Sequence, residues 1–314
     1  MDTTLFRRDI EAKPNTLLQL ADRLSDGGLW PELPPDGHLL FLGMGSSHYA
    51  NAICAARLRS LGIQATAELA SCSLLPTLRS SDRVIAVSAS GGSEETLAAT
   101  QSLIGRCPVI AVTNTPGSAI TQLAEQTVAM YADVEEGGVA CRSFQHTLAL
   151  HLALIARWDQ RVNPVDLLHK SSAACADLLD SSSQWLPRIS DFVLGPDGTA
   201  MVAPAHRMSS AQQSALMLRE GPRRSAIACE TGDWSHVDVY LTKTLDYRML
   251  LFPGSQWESN LLRWTTERGS TVVAVGADVP GADYSLRYRN DDVDDVRLLT
   301  EVTVAELIAA SAWN

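Results

Sequence analysis

Residues 82–97 read DRVIAVSASGGSEETL, and the order of their parts decides the class of the fold. An apolar, β-branched run over 84–87 ends in a cluster of Ser88, Ser90, Gly91, Gly92 and Ser93. A helical stretch then opens at Glu94. A strand that passes through Ser and Gly into a helix start makes an anion site. Free backbone N–H groups and the positive end of the helix dipole face one spot, and the hydroxyls add donors. The stretch holds no Lys and no G-x-x-x-x-G-K-[ST] pattern, which excludes a nucleotide P-loop and favours a small phosphomonoester over a triphosphate.

The alternative, a Ser/Gly turn that merely caps a helix, is weakened by a second loop of the same kind. Residues 38–49 read HLLFLGMGSSHY: a strand, Gly43 and Gly45, then Ser46 and Ser47 ahead of the helical run HYANAICAARLRSLG. Two such loops in adjacent βα units can converge on one phosphate, because open α/β sheets bind ligands beyond the carboxyl ends of their strands. Working outward, strands are expected at 38–43, 63–70, 82–88, 107–113 and 126–132. Helices are expected at 48–61, 93–105 and 117–125, with a long apolar helix over 143–157. This alternation implies a parallel sheet with right-handed crossovers. Upstream, a helix, a turn at Pro14 and a second helix run to about Gly27. Downstream, 160–187 reads as a helical connector. A second α/β unit follows, with strands at 189–195, 199–204, 225–229, 247–253, 270–276 and 284–289 and helices at 208–219, 257–268 and 302–312. The expected division is 1–30, 31–160, 161–187 and 188–314.

Composition narrows the function. The chain has 314 residues, 46% of them apolar, and a formal charge of −11. With no basic cluster, nucleic acid and anionic membrane are poor partners. The acidic run Asp291, Asp292, Asp294 and Asp295 reads as a solvated loop. Six scattered cysteines without a C-x-x-C pair read as buried thiols in a reducing compartment, not a disulfide framework or a zinc site. The N-terminus MDTTLFRRDI has no apolar signal core, and no 18-residue apolar run suggests a membrane span, so a cytoplasmic protein is expected.

Four local patterns together resemble the double sugar isomerase (SIS) domain family. The isomerase half of glucosamine-6-phosphate synthase and the related stand-alone deglycases and deaminases are the nearest in kind. RRDIEAKP resembles E-I-x-E-Q-P, LGMGSSHYAN resembles C-G-T-S-Y-x-A, SASGGSEETL resembles S-x-S-G-x-T-x-[DE]-T, and EEGGVACRSFQHTLALHLAL resembles G-V-A-S-T-K-x-F-T-x-Q. The resemblance implies an α/β fold of two tandem flavodoxin-like SIS subdomains, each a parallel sheet with helices on both faces. It implies a phosphate site of Ser46, Ser47, Ser88, Ser90 and Ser93, and a sugar site of Gly45, Val139, Ala140 and Cys141. It places the family's catalytic Glu at Glu220 and its catalytic His at His236, and implies a homodimer with the site at the subunit interface, to which His236 can be lent by the partner. Met217 stands where the synthase has Lys, Gln213 where it has Glu, and the Lys-bearing C-terminal tail is missing. No glutaminase domain or N-terminal cysteine is present, so ammonia release from glutamine is not expected.

A Glu and a His suit phosphosugar chemistry. Ring opening needs an acid/base with a pKa near neutrality, which is histidine. Moving a proton between C1 and C2 through an enediol or enolamine needs one carboxylate that reaches both carbons. The phosphate supplies binding energy remote from the reacting carbons. No metal or other cofactor is called for. The expected function is isomerisation, deamination or deglycation of a hexose 6-phosphate or amino-sugar 6-phosphate. The alternative is a non-catalytic phosphosugar sensor.

Overall fold

The computed structural model describes residues 2–34 and 36–313, which divide into two compact units. The first comprises residues 15–135 and 140–169, and the second residues 1–14, 136–139 and 170–314. The chain opens with α1 (Thr3–Glu11) and α2 (Lys13–Ser25). In the first unit β1 (Leu39–Gly43), α3 (Gly45–Ser60), β2 (Ala65–Leu69), β3 (Arg83–Val87), α4 (Glu94–Leu103), β4 (Val109–Thr113), α5 (Ala119–Gln122), β5 (Gln126–Ala129) and α6 (Arg142–Ile155) follow in turn. Its five strands are parallel in the order β2-β1-β3-β4-β5. The central strands LLFLG and VIAVT are buried at every residue. Unbroken apolar runs of this kind belong to parallel strands covered on both faces. Leu40, Leu42, Val84, Ala86, Val109 and Ala111 share one of these cores. Truncating Leu40 to Ala there would cost about 2–5 kcal/mol. Helix α6 is buried at all but one of its residues, as expected for a helix apolar on nearly every side.

The second unit begins with α7 (Pro164–Asp180), whose first turns lie in the first unit, and α8 (Ser182–Val193). Then come β6 (Thr199–Ala203), α9 (Met208–Glu220), β7 (Ala226–Glu230), β8 (Arg248–Leu251), α10 (Glu258–Glu267), β9 (Thr271–Val275), β10 (Tyr284–Leu286), α11 (Asp294–Thr300) and α12 (Val302–Ala312). The order β10-β9-β8-β6-β7 is that of the first sheet read from the other edge. Both sheets reverse direction next to their first strand, so the chain builds the flavodoxin-like pattern twice.

Three expectations fail. The turn expected at Pro14 falls at Ala12, and Pro14 lies in the first turn of α2, where a missing N–H costs no helix bond. The strand expected over 189–195 is the end of α8. Trp185, Ile189 and Val193 recur every four residues and are all buried, which is a helical stripe and not a strand alternation. The acidic run is not a solvated loop throughout. Asp294 and Asp295 open α11, where carboxylates favour the helix N-terminus. Asp291 is buried and bonded to Arg287 Nε at 2.6 Å. Burial pushes the Asp291 carboxyl up, but the Arg287 and Tyr288 hydrogen bonds outweigh it and hold the carboxyl below its ordinary range.

Candidate functional site

The crevice between β1 and β3 is where the first sheet reverses direction, and the two Ser/Gly loops leave from these two strands. Gly43 closes β1. A Cβ added there would stand 2.9 Å from Ser47 Cβ and 3.2 Å from Val87 O, so the missing side chain lets the two loops approach. Gly45 adopts a left-handed φ of 48° at the start of α3. Met44 precedes it and cannot cap, so no side chain satisfies the first N–H groups of α3. Ser46 and Ser47 stand half-buried in this first turn.

The loop after β3 is held rigidly. The Ala89 carbonyl accepts from Asn114 N at 3.0 Å and from both the Thr113 and Thr115 hydroxyls at 3.2 Å. Gly91 has a φ of 64°, and a Cβ there would lie 1.9 Å from Ser118 Oγ. Ser88 is buried, and Ser90 Oγ accepts from Gly92 N at 3.3 Å. Ser93 is the N-cap of α4: its Oγ accepts from Thr96 N and donates to Glu95 Oε2 at 3.0 Å. The Ser93 hydroxyl would have to leave Glu95 to meet a ligand. The five serines read from the sequence thus lie on the two loops that flank one crevice.

The implied sugar-site segment leads into α6. Val139 and Cys141 are buried and Ala140 is half-buried. The N-terminus of α6 is capped by Glu135, whose Oε1 accepts from Cys141 N and Arg142 N at 2.6 Å and from Ser143 N at 3.1 Å. An internal carboxylate therefore sits where a free helix N-terminus would attract an anion. Glu135 was not singled out in the sequence. A Glu ahead of a Gly-Gly turn and a helix start was the available signal.

In the second unit Glu220 is the last residue of α9 and is half-buried. His236 is exposed, beside an open cleft of about 440 Å³ with Glu230, Asp233, Trp257 and Asn260. Glu220 does not line this cleft. Helix α9 leaves the carboxyl end of β6 and returns to the start of β7, so Glu220 lies before that parallel strand and His236 after it. The five residues of β7 span about 17 Å. One copy of the chain does not bring these two side chains onto one substrate carbon. Trp234 is fully buried and bonded to Tyr247 Oη at 2.8 Å, a core residue. His206 pairs with Asp294. Half-buried His48 has its pKa lowered by burial, against the opposing pull of Glu68.

The second crevice, between β6 and β8, is braced by buried charge beside an open cleft of about 350 Å³ lined by His206, Glu230, Gly254 and Trp257. Arg207 follows β6, is fully buried, and is bonded to Glu301, to Asp294 Oδ1 at 2.9 Å and to Pro253 O. Burial opposes the Arg207 charge, but Glu301 and Asp294 more than restore it. Burial raises the Glu301 pKa above its ordinary value despite Arg207. After β8, Glu258 Oε1 accepts from Gly254 N and, at 2.7 Å, from Ser255 N. After β7, Glu230 Oε2 accepts from Gly232 N at 2.7 Å and Asp233 N at 2.9 Å.

Residues 32–157 match the SIS domain family. No curated protein matches the sequence at a significant level. Among solved structures, the chain is similar to the C-terminal domain of glucosamine-fructose-6-phosphate aminotransferase from Francisella tularensis. The TM-score is 0.81 at 17% identity, covering 98% of this chain and 96% of that one. Tagatose-6-phosphate ketose/aldose isomerase from Escherichia coli gives 0.79 at 17% identity, over 98% and 91%. Glucosamine-6-phosphate deaminase from Thermotoga maritima gives 0.76 at 19% identity, over 98% and 93%. At these identities the likeness establishes the fold.

Proposed function

We propose, taking the SIS domain of residues 32–157 as the premise, that the protein binds a hexose 6-phosphate or amino-sugar 6-phosphate between β1 and β3. It then converts that substrate by aldose–ketose isomerisation, deamination or deglycation through an enediol or enolamine. The observation that carries this reading is the pair of Ser/Gly loops on adjacent central strands, one ending at a helix N-terminus that no side chain caps. The names of the similar structures, two isomerising or deaminating enzymes of sugar phosphates among them, support the substrate class. Glu220 carries the proton between C1 and C2, and His236 assists ring opening. Because the two lie at opposite ends of β7, the proposal includes a homodimer in which one copy supplies Glu220 and the other His236.

A thermal-shift series with hexose 6-phosphates, glucosamine 6-phosphate and the unphosphorylated sugars tests binding. Stabilisation by a phosphosugar and not by its free form is expected, because a ligand of the native state raises Tm by mass action. Turnover of the stabilising sugar should fall at least about 100-fold in Glu220→Gln while binding persists. Mixing Glu220→Gln with His236→Asn protein should restore activity that neither has alone. Unchanged turnover in Glu220→Gln would remove Glu220 from the mechanism. A second reading, a phosphosugar sensor without turnover, draws on Gln213 and Met217. Both are buried, and Gln213 Nε2 lies 3.8 Å from Met217 Sδ, where the resemblance has two charged residues. Binding without any turnover in the unaltered protein decides for it.

A further inference from the structure

Asn51 stands in the second turn of α3, one turn after Ser47 and therefore on the same helix face. It is fully buried, and neither Nδ2 nor Oδ1 has a hydrogen-bond partner. Buried carboxamides are nearly always bonded, because an unmet donor or acceptor forfeits its hydration. The amide is aimed at the fork of the first crevice. The point where a Gly43 Cβ would stand is 3.0 Å from Asn51 Nδ2, 2.9 Å from Ser47 Cβ and 3.2 Å from Val87 O. An unpaired amide thus faces the junction of β1, β3 and the uncapped end of α3.

We infer that Asn51 is a positioning residue for the anion site, acting through Ser47. A serine hydroxyl carries one proton and two lone pairs. When Ser47 Oγ accepts from Asn51 Nδ2, its single proton has to point away from the amide, out of the helix end and toward the bound phosphate. The amide thereby turns a hydroxyl that could donate in any direction into a dedicated phosphate donor. Val87 O, the last carbonyl before Ser88, borders the same fork, 3.2 Å from the Gly43 Cβ point, so the amide lies where both loops depart. An apolar residue of the same size would pack at least as well here, and its absence is what the anion site explains. The inference rests on the proposed phosphate site between β1 and β3.

The test uses the full chain, with inorganic phosphate and glucosamine 6-phosphate as probes, and follows Tm and affinity separately. Asn51→Leu should keep or raise the Tm of the unliganded protein, because an unmet buried amide is removed. It should weaken the affinity for both probes about tenfold, the usual effect of losing one oriented donor to a charged group. Asn51→Asp should weaken it further, since a carboxylate takes the Ser47 proton and repels phosphate. Ser47→Ala should show a similar loss, and adding Asn51→Leu to it should cost nothing more. A drop in unliganded Tm with unchanged affinity in Asn51→Leu would make Asn51 a packing residue and overturn the inference. So would losses that add in the double variant. If Ser47→Ala abolishes binding and Asn51→Leu does not, the phosphate site stands and the inference alone fails. If neither probe stabilises the unaltered protein, both fall.

Discussion

The crevice between β1 and β3 and the crevice between β6 and β8 occupy the same place in the same strand order, yet their chemistry is inverted. In the first, the loops are Ser and Gly, and the end of α3 is left without a side-chain cap. In the second, Glu258 takes the N–H groups of the loop after β8, and buried Arg207 stands after β6 with its own carboxylate partners. A strand crossover supplies N–H groups at its carboxyl end whatever the sequence. Whether they serve a ligand depends on whether the chain supplies its own anion. On the proposed function the first unit's switch point serves a ligand, while the second's is held by internal charge pairs.

The strongest way to break this contrast is at Glu301. Glu301→Gln leaves the Arg207 charge buried without its main counter-charge, and unfolding stability by urea titration should fall by about 3–5 kcal/mol. A loss under 1 kcal/mol would mean the second crevice is not held by this pair. Next comes Gly91→Ala, which places a Cβ on Ser118 Oγ at a left-handed φ. Strain and overpacking together should cost about 2–4 kcal/mol and abolish phosphosugar stabilisation. An unchanged thermal shift would show that the loop after β3 is not shaped for the ligand.

A third expectation concerns acid. His151 lies buried in the first unit, with ring centroids 6.3 Å from Trp30 and 5.4 Å from Phe41, and burial lowers its pKa to about 3. Folded chains keep this ring neutral while unfolded chains protonate it below their ordinary value of 6.5. Stability from this residue is therefore complete above pH 6.5 and is lost as pH falls toward 3. The slope is about 1.4 kcal/mol per pH unit, or about 2 kcal/mol by pH 5. His151→Leu should flatten that slope in urea titrations run from pH 7 to 5; an unaltered slope would assign it to other groups. The smallest effect is expected from Glu258→Ser, which frees Gly254 N and Ser255 N. It should cost about 1 kcal/mol, as lost caps do. It should also give the second crevice a weak affinity for inorganic phosphate, visible as a phosphate-dependent shift of Gly254 and Ser255 amide resonances. No shift would show that more than one carboxylate closes that crevice.

Much of the fold was legible because parallel strands buried on both faces announce themselves as apolar runs, and β1, β3, β4, β6, β8 and β9 all do. Helix α8 was misread because LPRISDFVL is apolar at both periods, and only the burial of Trp185, Ile189 and Val193 chooses between them. The two strand-to-helix loops were legible from Ser and Gly at strand ends. Glu135, Glu230 and Glu258 were not, since a carboxylate that closes a nearby N–H cluster looks in sequence like any solvated Glu. Glu220 and His236 are sixteen residues apart in the chain. Their placement on opposite ends of β7 emerges only once α9 and β7 are seen as antiparallel neighbours.

The ends of the chain carry one further consequence. Phe6 packs on Trp313 with ring centroids 5.8 Å apart, Thr3 Oγ1 bonds Ala310 O, and Lys13 is buried against Glu306 and Thr303. The first unit is complete once His169 has been made. A domain whose contacts are all available can fold while synthesis continues. Helix α1 and the start of α2 cannot: the partner of Lys13 at Thr303 is 290 residues further along and leaves the ribosome long after them. During translation α1 thus waits undocked until α12 has been made. A chain stopped short of α12 would leave α1 with its apolar face bare, a ready mark for the proteases that clear unfinished proteins.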